Sequence, residues 1–332
     1  MSEALTNFRF RIAGVGTALP SVALTNETLA GELGVEEGWI MARCGIEQRY
    51  QSNLEETTLS LAVAASRKAL EFSPLPNPDL LLCSTFTPQY MLCPTAPAIA
   101  RELDMPPIGA FDINAACSGA AIGFLTSINF LATGFAKRVL LVCSDTPTKY
   151  LKQTDRNTRI LMGDGAAAMV LETTDDCQSR ILSWLWGSDG SGKQMFHVPG
   201  GGSALPPASL NGADNDELTV SMDGRSLFRF AVEKGSEAIA ALIEQAKLTV
   251  GDVDFVIVHQ ANQRIIQALI DRSGIGQDRW ISNIGGVGNT VAASIPLALA
   301  QGMDQGVFHQ GHRVLVLGFG AGLTWAGFLM QW

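Results

Sequence analysis

The sequence predicts an α/β protein of two similar halves, residues 1–175 and 176–332, whose sheets stack with helices between and outside them. Three observations carry that prediction. Of the 332 residues, 47% are hydrophobic and 17% charged, which excludes a disordered chain and suits sheets covered on both faces. The strand-like segments are continuous apolar runs, as in strands buried on both faces. The chain is also self-similar: DLLLCST from Asp79 resembles DFVIVHQ from Asp254, and KRVLLVCSD resembles HRVLVLGFG, with Asp79/Asp254 and Arg138/Arg313 both 175 positions apart. A functional site is expected where the halves meet.

Each element has its own warrant. The opening MSEALTNFRF has no basic start leading into an apolar block, so no secretory signal is expected and the cytoplasm is the expected location. Helical spacing runs through TTLSLAVAASRKALEF, and DLLLCST follows as a strand. DINAACSGAAIGFL passes from a strand through small residues into an apolar helix. The most apolar window, 119–136, is interrupted by Thr126, Ser127, Asn129 and Thr133, which predicts a core helix rather than a membrane span. MGDG at 162–165 lies between two apolar runs and predicts a hairpin-like reversal; no GxGxxG or GxxxxGKS pattern makes it a phosphate cradle. The Gly-, Pro-, Ser- and Asp-rich stretch 187–217 reads as an exposed loop with a short strand in its middle. SLFRFAVEKGSEAIAALIEQA is helical by spacing, DFVIV is a strand, and QANQRII starts another helix. NIGGVGNTVAASIPLALA is a strand-to-helix turn in which Gly285, Gly286 and Gly288 permit φ > 0.

Composition narrows the chemistry. The six cysteines (44, 83, 93, 117, 143 and 177) are dispersed with no CxxC pair, so neither zinc nor a disulfide framework is expected, and five of them read as inert core. A net charge of −9 disfavours nucleic acid. Of four histidines, His197 lies in the polar loop and His309 and His312 flank a turn at Gly311, whereas His259 closes an apolar strand. The repeat brings strand ends together, and with them Cys117 before its helix, His259 after its strand and Asn289 in its glycine-rich turn. A thiol at a helix N-terminus meets unpaired N–H groups and the positive end of the dipole, which favour thiolate. Cysteine passes an acyl group between thioesters at little free-energy cost. Histidine and asparagine both donate hydrogen bonds to an oxyanion such as an enolate. Cys, His and Asn also occur in cysteine hydrolases, where histidine activates the thiol; the strand-end histidine and the context GVGNTVAAS argue against that reading.

DINAACSGAAIGFL, VHQANQRII, GGVGNTVAASIPLAL and LGFGAGLTW resemble the signature blocks of β-ketoacyl-acyl carrier protein synthase III, of the thiolase superfamily. The similarity extends to LTNETLAGELGVEEGWIMARCGIEQRY and TDRNTRILMGDGAAAMVLE, nearly end to end. It implies a homodimer with a thiolase-like five-layered αβαβα fold. It implies decarboxylating condensation of an acyl-CoA primer with malonyl-acyl carrier protein, initiating fatty acid synthesis without metal or bound redox cofactor. Cys117 is then the acyl-accepting nucleophile, while His259 and Asn289 assist decarboxylation. Trp39 and Arg156 match a pair that sandwiches adenine, and Arg43 and Asn262 match other coenzyme A contacts. The oxyanion contacts fall on the backbone N–H groups of Cys117 and Ala321, where many members have glycine at the latter position. Tyr90, Met91 and Leu92 occupy a loop that reaches across the dimer to the acyl pocket, for which Phe228 is a further candidate. Carrier protein is acidic, and like charges repel over a Debye length of about 8 Å, so docking is assigned to Arg225, Arg229 and Arg264. A pathway-specific member, or an acyltransferase without condensation, uses the same three residues.

Overall fold

Among the described residues of the computed structural model (7–73, 77–174, 179–210 and 216–332), nine strands form two main sheets. In the first, β1 (Phe10–Ala18), β2 (Leu80–Ser84), β3 (Gly109–Ile113), β4 (Arg138–Asp145) and β5 (Gly165–Thr173) lie in the order β1-β5-β4-β2-β3. In the second, β6 (Arg180–Ser188), β7 (Phe255–Val258), β8 (Arg313–Gly320) and β9 (Thr324–Gln331) lie in the order β7-β8-β9-β6. The pairings correspond: β2 and β4 are parallel as are β7 and β8, while β5 and β9 each run antiparallel to both neighbours.

Alternation along each strand builds five layers. Leu81, Cys83, Leu140 and Val142 face outward beneath α2 (Thr58–Glu71), and Leu80, Leu82, Val139 and Leu141 face inward onto α3 (Gly119–Ala132). In the second sheet Val256, Val258, Leu315 and Leu317 pack under α4 (Gly224–Gln245) and α5 (Gln263–Ser273). Ile257, Val314 and Val316 turn to the central layer, which α3 shares with α6 (Ser294–Asp304). Covered on both faces, these strands have no polar side to display.

The polar residues that interrupt the 119–136 window are absorbed by α3 itself. Thr126, Ser127, Asn129 and Thr133 donate to the carbonyls of Ile122, Gly123, Leu125 and Asn129 at 2.7–2.8 Å. Local back-bonding of this kind lets a helix carry hydroxyls in a core. No helix of the described residues is long and apolar enough to cross a membrane.

The 175-residue offset extends to the turns. Ala116–Ser118 precedes α3 and Val291–Ala293 precedes α6, and Ala116 (φ 46°) and Val291 (φ 54°) both occupy the left-handed region. Such strain costs on the order of 1–3 kcal/mol per residue and persists only where the surroundings impose it. Its recurrence at matched positions shows that both halves end their strands on one template.

Three local expectations are corrected. MGDG is not a hairpin: a helical turn, Arg156–Arg159, precedes it, and Met162 bridges in parallel to Asn289, so the segment links the halves. Of the three glycines before Asn289 only Gly288 has positive φ, because Gly285 and Gly286 lie in the turn Ile284–Val287. Cys44, Cys83 and Cys143 are buried but Cys93 is exposed, on the loop after β2. The expected boundary between 175 and 176, and Cys177, lie outside the described residues. The short strand predicted within 187–217 is Phe196–His197, paired with Ser221–Met222.

Candidate active site

Cys117 sits in the turn between β3 and α3, nearly buried, on the wall of a cavity of about 530 Å³. The end of β8 runs directly against it. A Cβ on Gly320 would lie 2.7 Å from the Cys117 nitrogen, and one on Gly318 would lie 2.9 Å from Ser118 Cα, so both positions require glycine. The hydroxyls of Ser118 and Thr324 both donate to the Ala115 carbonyl, at 2.8 and 3.2 Å, and fix the turn.

His259 and Asn289 reach the same cavity from the second half. The His259 backbone N–H donates to Leu317 at the end of β8 (2.8 Å), its Nδ1 lies 2.7 Å from Ser294 Oγ, and the Phe319 ring stands edge-on at 5.6 Å. Asn289 is clipped by its backbone, donating to Leu161 O (2.8 Å) and accepting from Gly163 N–H (2.9 Å). Its Oδ1 accepts from Val291 N–H at 3.0 Å, which assigns the amide orientation and leaves the NH₂ group for the cavity.

Burial sets the protonation states. The Cys117 thiol is pushed well above its ordinary range by desolvation, with the Asp145 carboxyl adding to the rise and the residue's own N–H opposing it. The thiolate expected from the helix N-terminus is therefore outweighed, and the resting sulfur is a thiol. His259 is lowered to about 3 by desolvation, so its imidazole is neutral at pH 7. Asp145, at the end of β4, is raised to about 7 by burial, against hydrogen bonds from Phe86, Thr85 and Thr87.

Trp39, Arg43, Arg225, Phe228, Asn262 and Arg264 line the outer part of the cavity. Asn262 caps α5, accepting from Arg264 N–H at 2.8 Å, while its Nδ2 donates to Arg43 O at 3.4 Å. The cation stacked on the Trp39 indole is Arg43, 5.0 Å from the ring centre. Arg156 is exposed and off the cavity wall, where its neighbour Asn157 stands instead. Arg229, one turn beyond Arg225, is likewise exposed and off the wall. Tyr90, Met91 and Leu92 are strongly exposed and do not line this cavity, whereas Ala321 does. Sequence reasoning missed Ser294 and Phe319 at His259, and Met162, Phe196 and Met222 on the wall. Met162 lay in the MGDG segment, Ser294 and Phe319 in the blocks GGVGNTVAASIPLAL and LGFGAGLTW, and Phe196 in the 187–217 stretch, but nothing there set them apart from their neighbours.

Two stacked sheets of matched topology, with a thiol, an imidazole and a carboxamide meeting at their junction, define a thiolase-like condensing enzyme that transfers acyl groups. Comparison with known proteins gives the narrower assignment. Residues 111–190 match the family described as 3-oxoacyl-[acyl-carrier-protein (ACP)] synthase III, and residues 243–332 match its C-terminal part. The β-ketoacyl-[acyl-carrier-protein] synthase III of Synechocystis sp. is 40% identical over 325 residues, covering 97% of this chain and 98% of the relative. The crystal structure of 3-oxoacyl-(acyl carrier protein) synthase III from Pseudomonas aeruginosa PAO1 superposes with a TM-score of 0.89 at 34% identity, covering 97% of this chain and 98% of that one. The priming β-ketosynthase of the R1128 polyketide pathway gives 0.86 at 32%, covering 97% and 96%. The chain belongs to the 3-oxoacyl-[acyl-carrier-protein] synthase III family.

Proposed function

We propose that the protein condenses an acyl-CoA primer with malonyl-acyl carrier protein, with loss of carbon dioxide, to initiate fatty acid synthesis. The observation that carries this reading is the convergence of Cys117, His259 and Asn289 on one cavity whose outer wall bears Trp39, Arg43, Arg225 and Arg264. In the first half-reaction Cys117 sulfur attacks the primer thioester, the coenzyme A thiolate leaves, and the cysteine proton ends on that thiolate. The backbone N–H groups of Cys117 and Ala321 hold the oxyanion. In the second, the malonyl thioester loses carbon dioxide and its enolate oxygen receives hydrogen bonds from His259 and Asn289. The enolate carbon attacks the acyl-cysteine carbonyl, the carbon–sulfur bond breaks, and the released thiolate regains a proton from solvent. A neutral imidazole and a carboxamide suit this role, because both stabilise developing negative charge without surrendering a proton.

Coenzyme A is held by Trp39, Arg43, Asn262 and, from the exposed turn beside Asn157, Arg156. Phe228, expected at the acyl pocket, stands partly exposed on the outer wall and is read as an apolar contact along the acyl chain's path to Cys117. Arg225, Arg229 and Arg264 receive the acidic carrier. The protein acts as a cytoplasmic homodimer. Support comes from β3, which among the described residues has a neighbour on one side only, from the exposed Phe111 on that strand, and from the exposed Tyr90, Met91 and Leu92 in the loop before the helix Thr95–Glu102. Across such an interface Tyr90, Met91 and Leu92 complete the partner's acyl pocket. The division at 175/176 belongs to the same reading: the first half carries the nucleophile and the second carries His259 and Asn289. The likeness to the R1128 priming ketosynthase favours a second reading, in which the same chemistry starts a specialised product.

Intact-protein mass after mixing with a panel of acyl-CoA esters, before and after malonyl-carrier protein, tests the proposal. An acyl adduct missing from Cys117→Ala, and discharged as a β-ketoacyl product only with the malonyl donor, is expected. Discharge to water or another nucleophile would make the protein an acyltransferase or hydrolase on this scaffold. The preferred primer separates the two condensing readings.

A further inference from the structure

We infer that Ser294 fixes the tautomer of His259, holding the proton on Nε2, so that the imidazole meets substrate as a hydrogen-bond donor and never as the base for Cys117. This rests on the role proposed for His259 above and adds the residue that enforces it.

The argument is an account of donors and acceptors. Ser294 Oγ accepts from the Gln260 backbone N–H at 3.3 Å and lies 2.7 Å from His259 Nδ1. A hydroxyl has one hydrogen, and among the described residues no other acceptor is paired with it. The hydroxyl hydrogen therefore points at Nδ1, which must be an unprotonated acceptor. A neutral ring with Nδ1 bare carries its proton on Nε2. His259 lines the cavity with its Nδ1 edge engaged by Ser294, which leaves Nε2 to face substrate.

The surroundings support the same state. Ser294 is the first residue of α6, whose N-terminus carries partial positive charge and opposes a second proton on a neighbouring ring. Phe319 stands edge-on to the imidazole and supplies no acceptor. Ser294 is fully buried, so the hydroxyl does not exchange its partner for solvent. Its place in the chain is set by the strained turn Val291–Ala293, which ties it to Asn289, and one short segment thereby positions both donors to the enolate.

The chain has only four histidines, His197, His259, His309 and His312, so selective ¹⁵N-imidazole labelling resolves each ring, with His259→Ala identifying the signal. Wild type is expected to show the Nε2-protonated tautomer at His259 across pH 6–8. A ring protonated on Nδ1 overturns the inference, whatever the activity. In Ser294→Ala the His259 signal becomes a tautomer mixture. Malonyl-dependent turnover then falls by about 10- to 100-fold, in the range seen when one preorganised donor is disturbed. Formation of the acyl-Cys117 adduct from acyl-CoA changes by less than about threefold. Ser294→Thr, which keeps the hydroxyl, restores the single tautomer and most of the turnover. Equal loss in both half-reactions with a fixed tautomer would mean that Ser294 is only packing. Failure of wild type to form any acyl adduct would instead overturn the proposed function, and leaves the tautomer measurement standing by itself.

Discussion

The two halves place residues at matched positions and use them differently. At the offset of 175, Ser84 corresponds to His259, Asn114 to Asn289, Cys117 to Ala292, Gly119 to Ser294 and Asp145 to Gly320. In the first half the strand-end and helix-start positions are small and packed tightly: a Cβ on Gly119 would lie 2.0 Å from Ser84 Oγ. In the second half the same two positions hold an imidazole and the hydroxyl that orients it. Asp145 accepts from Thr85, Phe86 and Thr87 in the loop after the neighbouring strand β2 and, at 3.4 Å, from the Ala292 N–H of the second half, while its counterpart Gly320 is bare so that Cys117 fits against β8. One template thus presents a thiol from one side and an imidazole and a carboxamide from the other, and each half gives up bulk where its partner needs space.

The most severe way to break the comparison is to exchange the halves' chemistry. Cys117→Ala with Ala292→Cys moves the thiol to the matched position, which is fully buried and off the cavity wall. The acyl adduct is expected to fall below about one-thousandth of wild type by intact mass, as removal of a nucleophile does; an adduct on residue 292 would show the halves to be interchangeable. Next in size, His259→Ala and Asn289→Ala are each expected to slow malonyl-dependent turnover by about 10²- to 10³-fold. Adduct formation from acyl-CoA should survive in both, measured by single-turnover release of coenzyme A. Equal damage to the two steps would remove the division of labour.

The halves also respond to pH in opposite senses. His259, lowered to about 3, stays neutral in the fold while its unfolded counterpart takes a proton near 6.5, so its contribution to stability is lost as pH falls from about 6.5 to 3. Asp145, raised to about 7, favours the fold only while protonated, so its contribution is lost as pH rises from about 4 to 7. Denaturant unfolding across pH 4–8 should show the acid-side loss diminished in His259→Ala and the neutral-side loss diminished in Asp145→Asn. Unchanged slopes in both would mean that neither group is as buried as the fold places it. The smallest effect is at the surface. Arg264→Glu should raise KM for malonyl-carrier protein several-fold and more at low salt, with acylation by acyl-CoA nearly intact, as for a rim charge that steers encounter.

Much of this was legible in the chain because duplication leaves an arithmetic trace. DLLLCST and DFVIVHQ share a strand type, and the fold adds the matched turns at Ala116 and Val291 and the matched helix starts at Gly119 and Ser294. Cys117, His259 and Asn289 were visible as reactive types at strand ends. Ser294 and Phe319 were not, since a serine opening a small-residue helix and a phenylalanine inside an apolar strand look like packing until a neighbour distant in sequence is known. The protonation of Cys117 was misjudged for a related reason: the helix terminus is local and readable, whereas desolvation depends on what the other half lays over the sulfur. Arg43 on Trp39 is likewise a contact decided by three-dimensional reach, which spacing along the chain does not reveal.

The cavity at Cys117 has a consequence for how the reaction is paced. Primer and malonyl donor must both pass the Trp39 and Arg43 wall to reach one sulfur, in a space of about 530 Å³, so the second substrate enters only after coenzyme A has gone. Double-reciprocal plots should then be parallel lines. An excess of the malonyl donor should also inhibit by occupying the unacylated enzyme. Flux through such a site follows the ratio of the two thioesters as well as their amounts, which makes the enzyme a balance between primer supply and extender supply.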